Sequence, residues 1–291
     1  MFAQRAYLLD VTRRVPNRRS FEELIDILAS YRYNEFFLFT EKDFPTEDLD
    51  RKRLELYCDM QGLAYRELDR NQYEELFIRA EYAIVSTEAD RSLAGRVEDM
   101  REGMVRGEAQ GRARHAKGFL VTDFADECVW QPPIVSLPGI VMGGNFASSG
   151  AKSSMMDLER ELDRTLGAPL GGLLLRLGTL YLRGGAPHEH VSELYNILSH
   201  DVGYSRHPGL TQFVLDDISG VARGVAVAAE RWLERCDWAK ELIFAAKLID
   251  AACHRRNEAM LRELRDEHSR LWRARFTPEG RVESMARIPR F

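Results

Sequence analysis

The sequence predicts an α/β protein, with a parallel β-sheet and helices in residues 1–150 and an all-helical region in residues 151–291. In the first part, short apolar runs alternate with longer segments of helical periodicity. This alternation is typical of βαβ units with parallel strands. In the second part helical periodicity dominates and no convincing strand is found. We therefore predict two domains, 1–150 and 151–291.

The first strand and helix show the pattern most clearly. The run "AYLLDV" (6–11) is apolar and ends in polar residues, as buried strands of parallel sheets do. Ser20 is predicted to cap the following helix, because Glu23 three residues later completes a capping box. The helix then presents an apolar stripe at helical spacing, formed by Phe21, Leu24, Ile25 and Leu28.

The remaining elements up to residue 150 repeat this alternation. Further strands are predicted at "NEFFLFTE" (34–41), "LAYREL" (63–68), "YAIVS" (82–86) and "GFLVTD" (118–123). Helices are predicted at 47–61, around 71–80 and at 96–114. The small polar segment 143–154 is predicted to be a linker or loop. The glycine-rich "PGIVMGGNF" lacks the lysine of a phosphate-binding loop and is predicted to be a turn.

Beyond residue 150 the periodicity predicts six helices, at 155–167, 170–183, 189–200, 211–235, 238–254 and 257–274. The second of these is apolar nearly all round. Because such a helix cannot present a polar face to water, we expect it at the centre of the helical region.

Composition narrows the classes of partner and the compartment. The 45% of hydrophobic residues can form a sizeable core, and the net charge of −5 arises from 41 basic and 46 acidic residues scattered along the chain. Without a basic stripe, nucleic acid is not expected as a partner. Four cysteines without a CxxC pair favour reduced thiols in a cytoplasmic protein. No signal peptide or membrane span is predicted, and we expect no metal and no cofactor.

Acidic residues mark the carboxyl ends of three predicted strands, namely Asp10, Glu41 and Asp123. In parallel α/β folds this edge of the sheet holds the active site. The stretch "FLVTDFADECVWQPPIVSLPG" (119–139) adds Asp126 and Trp130. We interpret the stretch as the wall of a binding site; the alternative is a polar loop that caps the next element.

Several motifs in one order resemble family 20 glycoside hydrolases, in particular bacterial β-N-acetylhexosaminidase-like proteins. "RAYLLDVTRRVP" and "LIDILASYRYNEFFLFTEKDF" resemble the first two strand–helix units of that family. "SLAGRVEDMREGMVRGEAQGRARHAKGFLVTDFADECVWQPPIVSLPGI" is similar to its last two barrel units, and "HSRLWRARFTPEGRVESMARI" to the end of its C-terminal helical domain. A complete barrel needs about 250 residues, so the resemblance implies an incomplete (β/α) TIM-type barrel without its middle part.

The missing part has a chemical consequence. In the family it carries an adjacent Asp-Glu pair, in which the Asp orients the substrate's own acetamide as nucleophile and the Glu acts as general acid and base. Losing a general acid alone costs about 10²–10⁴-fold in rate. The resemblance therefore implies a degenerate enzyme that binds a small saccharide with an N-acetylhexosamine, and it leaves the catalytic residues unknown.

The resemblance also assigns a binding role to six residues. Arg5 would donate hydrogen bonds to sugar hydroxyls, the four acids Asp10, Glu41, Asp123 and Asp126 would line the mouth of the barrel, and Trp130 would offer an apolar face. Each has a structural alternative: the arginine could pair with acids, Glu41 could be a solvated strand end, and Trp130 could pack under the prolines that follow it.

Three functions remain open from the sequence. The first is sugar binding with little hydrolysis. The second is an active glycosidase completed by dimerisation, and the third is a non-catalytic structural or interaction protein. An incomplete barrel exposes two strand edges, which proteins cover or pair. We therefore expect the C-terminal helices to cap the opening or a homodimer to close it.

Overall fold

A five-stranded parallel sheet forms the centre of the computed structural model, which describes residues 2–41, 50–125, 130–150, 155–187, 190–200, 204–254 and 257–288. The strands lie in the order β3-β2-β1-β5-β4. They are β1 (Gln4–Asp10), β2 (Glu35–Phe39), β3 (Ala64–Leu68), β4 (Tyr82–Ser86) and β5 (Gly118–Asp123). All four pairings are parallel. The predicted α/β fold with a parallel sheet is thereby confirmed.

Helices connect and cover these strands. Those before residue 150 are α1 (Arg18–Ser30), α2 (Arg51–Met60), α3 (Arg70–Ile78), α4 (Val97–Ala113) and α5 (Leu137–Ser149), with a 3₁₀ turn at Pro133–Ser136. Those after it are α6 (Met155–Leu166), α7 (Gly171–Leu177), α8 (Glu193–Ser199), α9 (Gln212–Glu230), α10 (Asp237–Cys253), α11 (Glu258–Arg275) and α12 (Arg281–Arg287), with a 3₁₀ segment at Leu180–Gly185.

The two faces of the sheet are buried by different helices. On one face, called here the helical face, side chains such as Tyr7, Phe36 and Val121 join a large hydrophobic cluster with the helices. On the other, the α3 face, a smaller cluster of Ala6, Leu8, Phe37, Phe39 and Leu120 packs against Leu76 of α3. The large cluster includes residues from both sides of residue 150, so the sheet and the later helices share one core.

The start of α1 differs from the sequence prediction. Asn17, not Ser20, is the N-cap, and its side-chain oxygen accepts a hydrogen bond from the backbone N–H of Ser20 at 3.0 Å. Both residues are of types that cap helices. Asn17 is the cap because the helix begins at Arg18, so that Ser20 already lies in the first turn.

The predicted turn and loop around residues 138–149 are wrong, since this segment forms helix α5. Its glycines permit close packing on β5 and on the end of α1. A Cβ on Gly143 would lie 2.3 Å from Val121 Cγ2, and a Cβ on Gly144 would lie 2.6 Å from the carbonyl oxygen of Tyr31. The gain from this packing outweighs the low intrinsic helix propensity of glycine.

The single helix predicted at 170–183 is also wrong. Helix α7 ends at Leu177, and a separate 3₁₀ segment follows. A Cβ on Gly178, between the two, would lie 2.2 Å from Val97 Cγ2. The chain therefore uses a glycine to pass close to the start of α4, and its apolar side chains are buried around a bend instead of along one axis.

Candidate functional site

Two of the predicted site residues meet at the carboxyl edge of the sheet. Asp10 ends β1 and Asp123 ends β5, and the two strands are neighbours with Leu9 in register with Asp123. Both carboxylates are buried, with 3% and 5% of the residue exposed. A buried charge is tolerated only when it is well hydrogen-bonded, so their partners decide what they can do.

Asp123 is held by two hydroxyl groups. Its Oδ2 accepts a hydrogen bond from Tyr7 at 2.6 Å, and its Oδ1 accepts one from Thr87 at 3.0 Å. Burial, and then the charge of Asp123, raise the pKa of Tyr7 well above its usual value, which keeps the phenol protonated as the donor. The carboxylate thus ties β1, β5 and the end of β4 together on the helical face.

Asp10 is held by backbone groups. Its Oδ1 accepts from the N–H of Thr12 at 2.8 Å, and its Oδ2 accepts from the N–H of Ala125 at 3.0 Å. These bonds fix the backbone that leaves β1 and β5. Asp10 therefore positions the two loops that begin at this edge of the sheet.

The other predicted site residues do not join this pair. Arg5 pairs in register with Phe119 near the opposite end of β1, about 16 Å from Asp10 at the usual rise per residue. Its guanidinium donates to the carbonyl oxygens of Arg32 and Phe2. Glu41 follows β2 and is exposed, while Asp126 lies outside the described residues.

Trp130 is fully buried. Only 1% of the residue is exposed, its indole N–H donates to the carbonyl oxygen of Ser284 at 3.2 Å, and its ring lies 5.7 Å from that of Tyr195. In this conformation the indole anchors the loop after β5 to α8 and α12. It does not offer an open apolar face to a sugar.

A buried ionic cluster that the sequence did not reveal lies on the helical face. Arg275, at the end of α11, pairs with Glu241 of α10 and Glu23 of α1, and its guanidinium lies 4.2 Å from the ring centre of Trp238. The four residues come from three distant segments, so no spacing along the chain could have indicated them. Double pairing of a cation is typical of a buried arginine.

Burial has a marked effect on the acid at the centre of this cluster. It raises the pKa of Glu241 to about 7, although Arg275 and the backbone N–H of Ile134 oppose the shift. The Ile134 N–H donates to Glu241 Oε2 at 2.9 Å. Glu241 thus changes its charge near neutral pH inside the protein core.

Two concave regions accompany these groups. A cavity of about 50 Å³ lies on the helical face beside Tyr7, Asp123 and Arg275. A larger open groove of about 870 Å³ runs between α1, the end of α5 and α6, with Asp26, Tyr57 and Arg164 among its lining residues. The large groove does not include the strand ends, so it is not the site predicted from the sequence.

The described residues contain no group of three or more His, Cys, Asp or Glu side chains that could hold a metal ion. Within the same part of the chain, no single helix is long and apolar enough to cross a membrane, and Asp157–Leu166 with Gly171–Gly185 would do so only as a pair bent by 116°. The sequence matches no protein-family model. No curated protein matches it either, so the family 20 resemblance stays a prediction.

Proposed function

We propose that the chain is a non-hydrolytic protein of the family 20 glycoside hydrolase type, built on an incomplete (β/α) barrel, that binds a small saccharide at the carboxyl edge of its sheet. The strand order carries this proposal. The first strand lies between the second and the last, and all are parallel.

This order is the one expected of a partial barrel, and it differs from the two common orders of open α/β sheets. In an eight-stranded barrel the first strand pairs with the second and the last. Removing three consecutive strands after the third leaves 3-2-1 followed by the last two, which is the order β3-β2-β1-β5-β4 found here. The common open sheets have the orders 3-2-1-4-5-6 and 2-1-3-4-5 instead.

The partners of the two buried acids support the absence of hydrolysis. A general acid must reach the leaving oxygen of the substrate and exchange a proton with it. Asp10 accepts from two backbone N–H groups, and Asp123 accepts from two hydroxyls. Both carboxylates therefore act as buried acceptors, and among the described residues Glu41 is an exposed acid that a saccharide could meet at this edge.

The test is calorimetric titration of the protein with N-acetylglucosamine and its thiazoline transition-state mimic, together with an assay on a chromogenic N-acetylglucosaminide. We expect binding without turnover. Glu41→Gln should weaken binding, whereas Glu81→Gln, which makes the same charge change before β4 at the opposite edge, should not.

The other outcomes would overturn the proposal in different ways. Turnover that Asp126→Asn or Glu127→Gln abolishes would make the protein an active glycosidase. No heat of binding and no turnover would exclude both sugar functions and leave the interaction function below.

A second candidate function, self-association, is favoured by one feature of the surface. Large apolar side chains are exposed on the helices that flank β3, which is an edge strand. They are Leu56 and Met60 of α2 and Phe77 and Ile78 of α3, each with 60% or more of the residue exposed. A second copy of the chain that covered this region would protect both the apolar side chains and the strand edge.

A further inference from the structure

The cavity of about 50 Å³ on the helical face has a mostly apolar lining into which several polar side chains are set. Its polar side chains include Tyr7, Arg14, Ser20, Glu23, Asp123 and Arg275. A cavity needs about 10–15 Å³ of such volume to hold one water molecule. The cavity therefore has room for a few waters or for one small polar ligand.

Two buried hydrogen-bonding atoms of residues on this cavity have no partner in the described part of the protein. They are Nη2 of Arg275 and Oγ of Ser20. Arg275 is 6% exposed, and its two other nitrogens are committed to Glu241 and Glu23. Because buried polar groups are nearly always hydrogen-bonded, two such atoms on one cavity indicate a missing acceptor.

Arg14 adds a buried cation to the same cavity. It is 7% exposed, and its Nη1 donates to the carbonyl oxygen of Gln131. Among the described residues, no carboxylate lies within ion-pair distance of its guanidinium, which lies 5.3 Å from the ring centre of Phe276. Asp123, Asp10 and Glu241 offset its charge only from beyond ion-pair distance, so an anion that reached the guanidinium would add a direct counter-ion.

Neither acid on the cavity wall bonds these two atoms. Asp123 accepts from Tyr7 and Thr87, and Glu23 accepts from Nη1 of Arg275. Nη2 of Arg275 and the Ser20 hydroxyl are therefore left without a partner among the described residues. Two guanidinium groups match the geometry of a carboxylate or phosphate, to which they can donate paired hydrogen bonds.

We propose that this cavity binds a small oxyanion, a carboxylate or a phosphate, between Arg14 and Arg275, with the Ser20 hydroxyl as a third donor. The site lies beneath the helices on the helical face, and no saccharide takes part in it. It therefore does not rest on the function proposed above, and a failure of sugar binding would leave it intact.

The experiment titrates the full-length protein with sodium phosphate and with sodium acetate, using calorimetry and thermal unfolding, with sodium chloride at equal ionic strength as reference. We expect saturable binding and a rise in the unfolding temperature with at least one of the two anions. A preference for phosphate or for acetate shows whether the natural ligand carries a phosphate or a carboxylate group.

Two variants locate the binding. Ser20→Ala should leave the stability of the anion-free protein unchanged, because the hydroxyl has no internal partner, and should weaken anion binding about 3- to 10-fold. Arg14→Lys keeps the positive charge but loses the planar guanidinium group that donates paired hydrogen bonds. This variant should weaken anion binding more than Ser20→Ala does. The control is Ser30→Ala on the same helix, because Ser30 does not line the cavity and its hydroxyl donates to the carbonyl oxygen of Ile27.

Comparing the wild type with Ser20→Ala separates anion binding in the cavity from the general effect of salts on protein stability. Phosphate stabilises many proteins by exclusion from their surface, and this effect is equal in the wild type and in Ser20→Ala. Equal responses of these two proteins to both anions, or no response beyond that to chloride, would mean that the cavity holds only water and would overturn the proposal. Ser20→Ala decides this even if Arg14→Lys does not fold.

Discussion

The Tyr7 hydroxyl donates a hydrogen bond to Asp123 Oδ2 at 2.6 Å, although 116 residues separate the two side chains in the sequence. The bond crosses from β1 to β5, the first and last strands of the sheet. The acid that the sequence marks at a strand end is thus a link between two neighbouring strands, the first and the last of the sheet in chain order, and it is buried beneath the helices.

This link predicts the effect of removing the hydroxyl. Tyr7→Phe should lower the free energy of unfolding by about 1–3 kcal/mol, because it leaves a buried carboxylate oxygen without its partner. The measurement is urea denaturation at neutral pH. Tyr57→Phe removes a solvent-exposed bond to Asp26 and should cost well under half as much; equal losses would contradict the structural role of Asp123.

The raised pKa of the buried Glu241 predicts that the free energy of unfolding depends on pH. Its folded-state pKa of about 7 lies above the ordinary value of 4.5, so the folded protein binds more protons than the unfolded chain between these values. Its stabilising contribution is therefore complete below pH 4.5 and is lost as the pH rises through 7. The loss is on the order of 3 kcal/mol for a shift of this size.

The variant Glu241→Gln isolates the contribution of the Glu241 carboxyl group to the pH dependence of stability. Between pH 4.5 and 7, the unfolding free energy of the wild type should fall relative to that of the variant, as measured by urea denaturation at several pH values. Parallel curves for the two proteins would show that Glu241 keeps an ordinary pKa in the fold.

The close approach of α5 to the end of α1 predicts opposite effects of the same substitution at two helical glycines. Gly144→Ala should destabilise by about 1–3 kcal/mol, because its Cβ would lie 2.6 Å from the Tyr31 carbonyl oxygen. Gly220→Ala, on α9 with nothing within 4 Å of the new Cβ, should stabilise by about 0.5–1 kcal/mol. Thermal unfolding measures both, and stabilisation by both would contradict the packing of α5.

The apolar surface on α3 predicts self-association. Sedimentation velocity should show dimers of the wild type and monomers of Phe77→Asp or Ile78→Asp, because each change places a charge in the apolar contact. Val282→Asp alters an equally exposed side chain on α12 and should leave the dimer intact. A monomeric wild type at all concentrations would exclude self-association through this surface.

Much of the sheet could be predicted from local patterns. The strand "YAIVS" has the predicted bounds of Tyr82–Ser86, and "GFLVTD" those of Gly118–Asp123, because apolar runs bounded by polar residues need no distant information. The same patterns could not show that residues 143–149 continue a helix, since that depends on the close contact of Gly143 with Val121 of β5 and of Gly144 with Tyr31 at the end of α1.

For the candidate site, the sequence by itself determined that acids stand at the strand ends, because the carboxyl edge of a parallel sheet follows from the order of strands and helices. Only the tertiary structure decided what those acids do. In the folded protein Asp123 accepts a hydrogen bond from Tyr7, and the buried indole of Trp130 donates one to Ser284. Arg275 forms ion pairs with Glu23 and Glu241. The physical reason is distance along the chain: periodicity reports neighbours within a few residues, whereas these contacts join segments more than thirty residues apart.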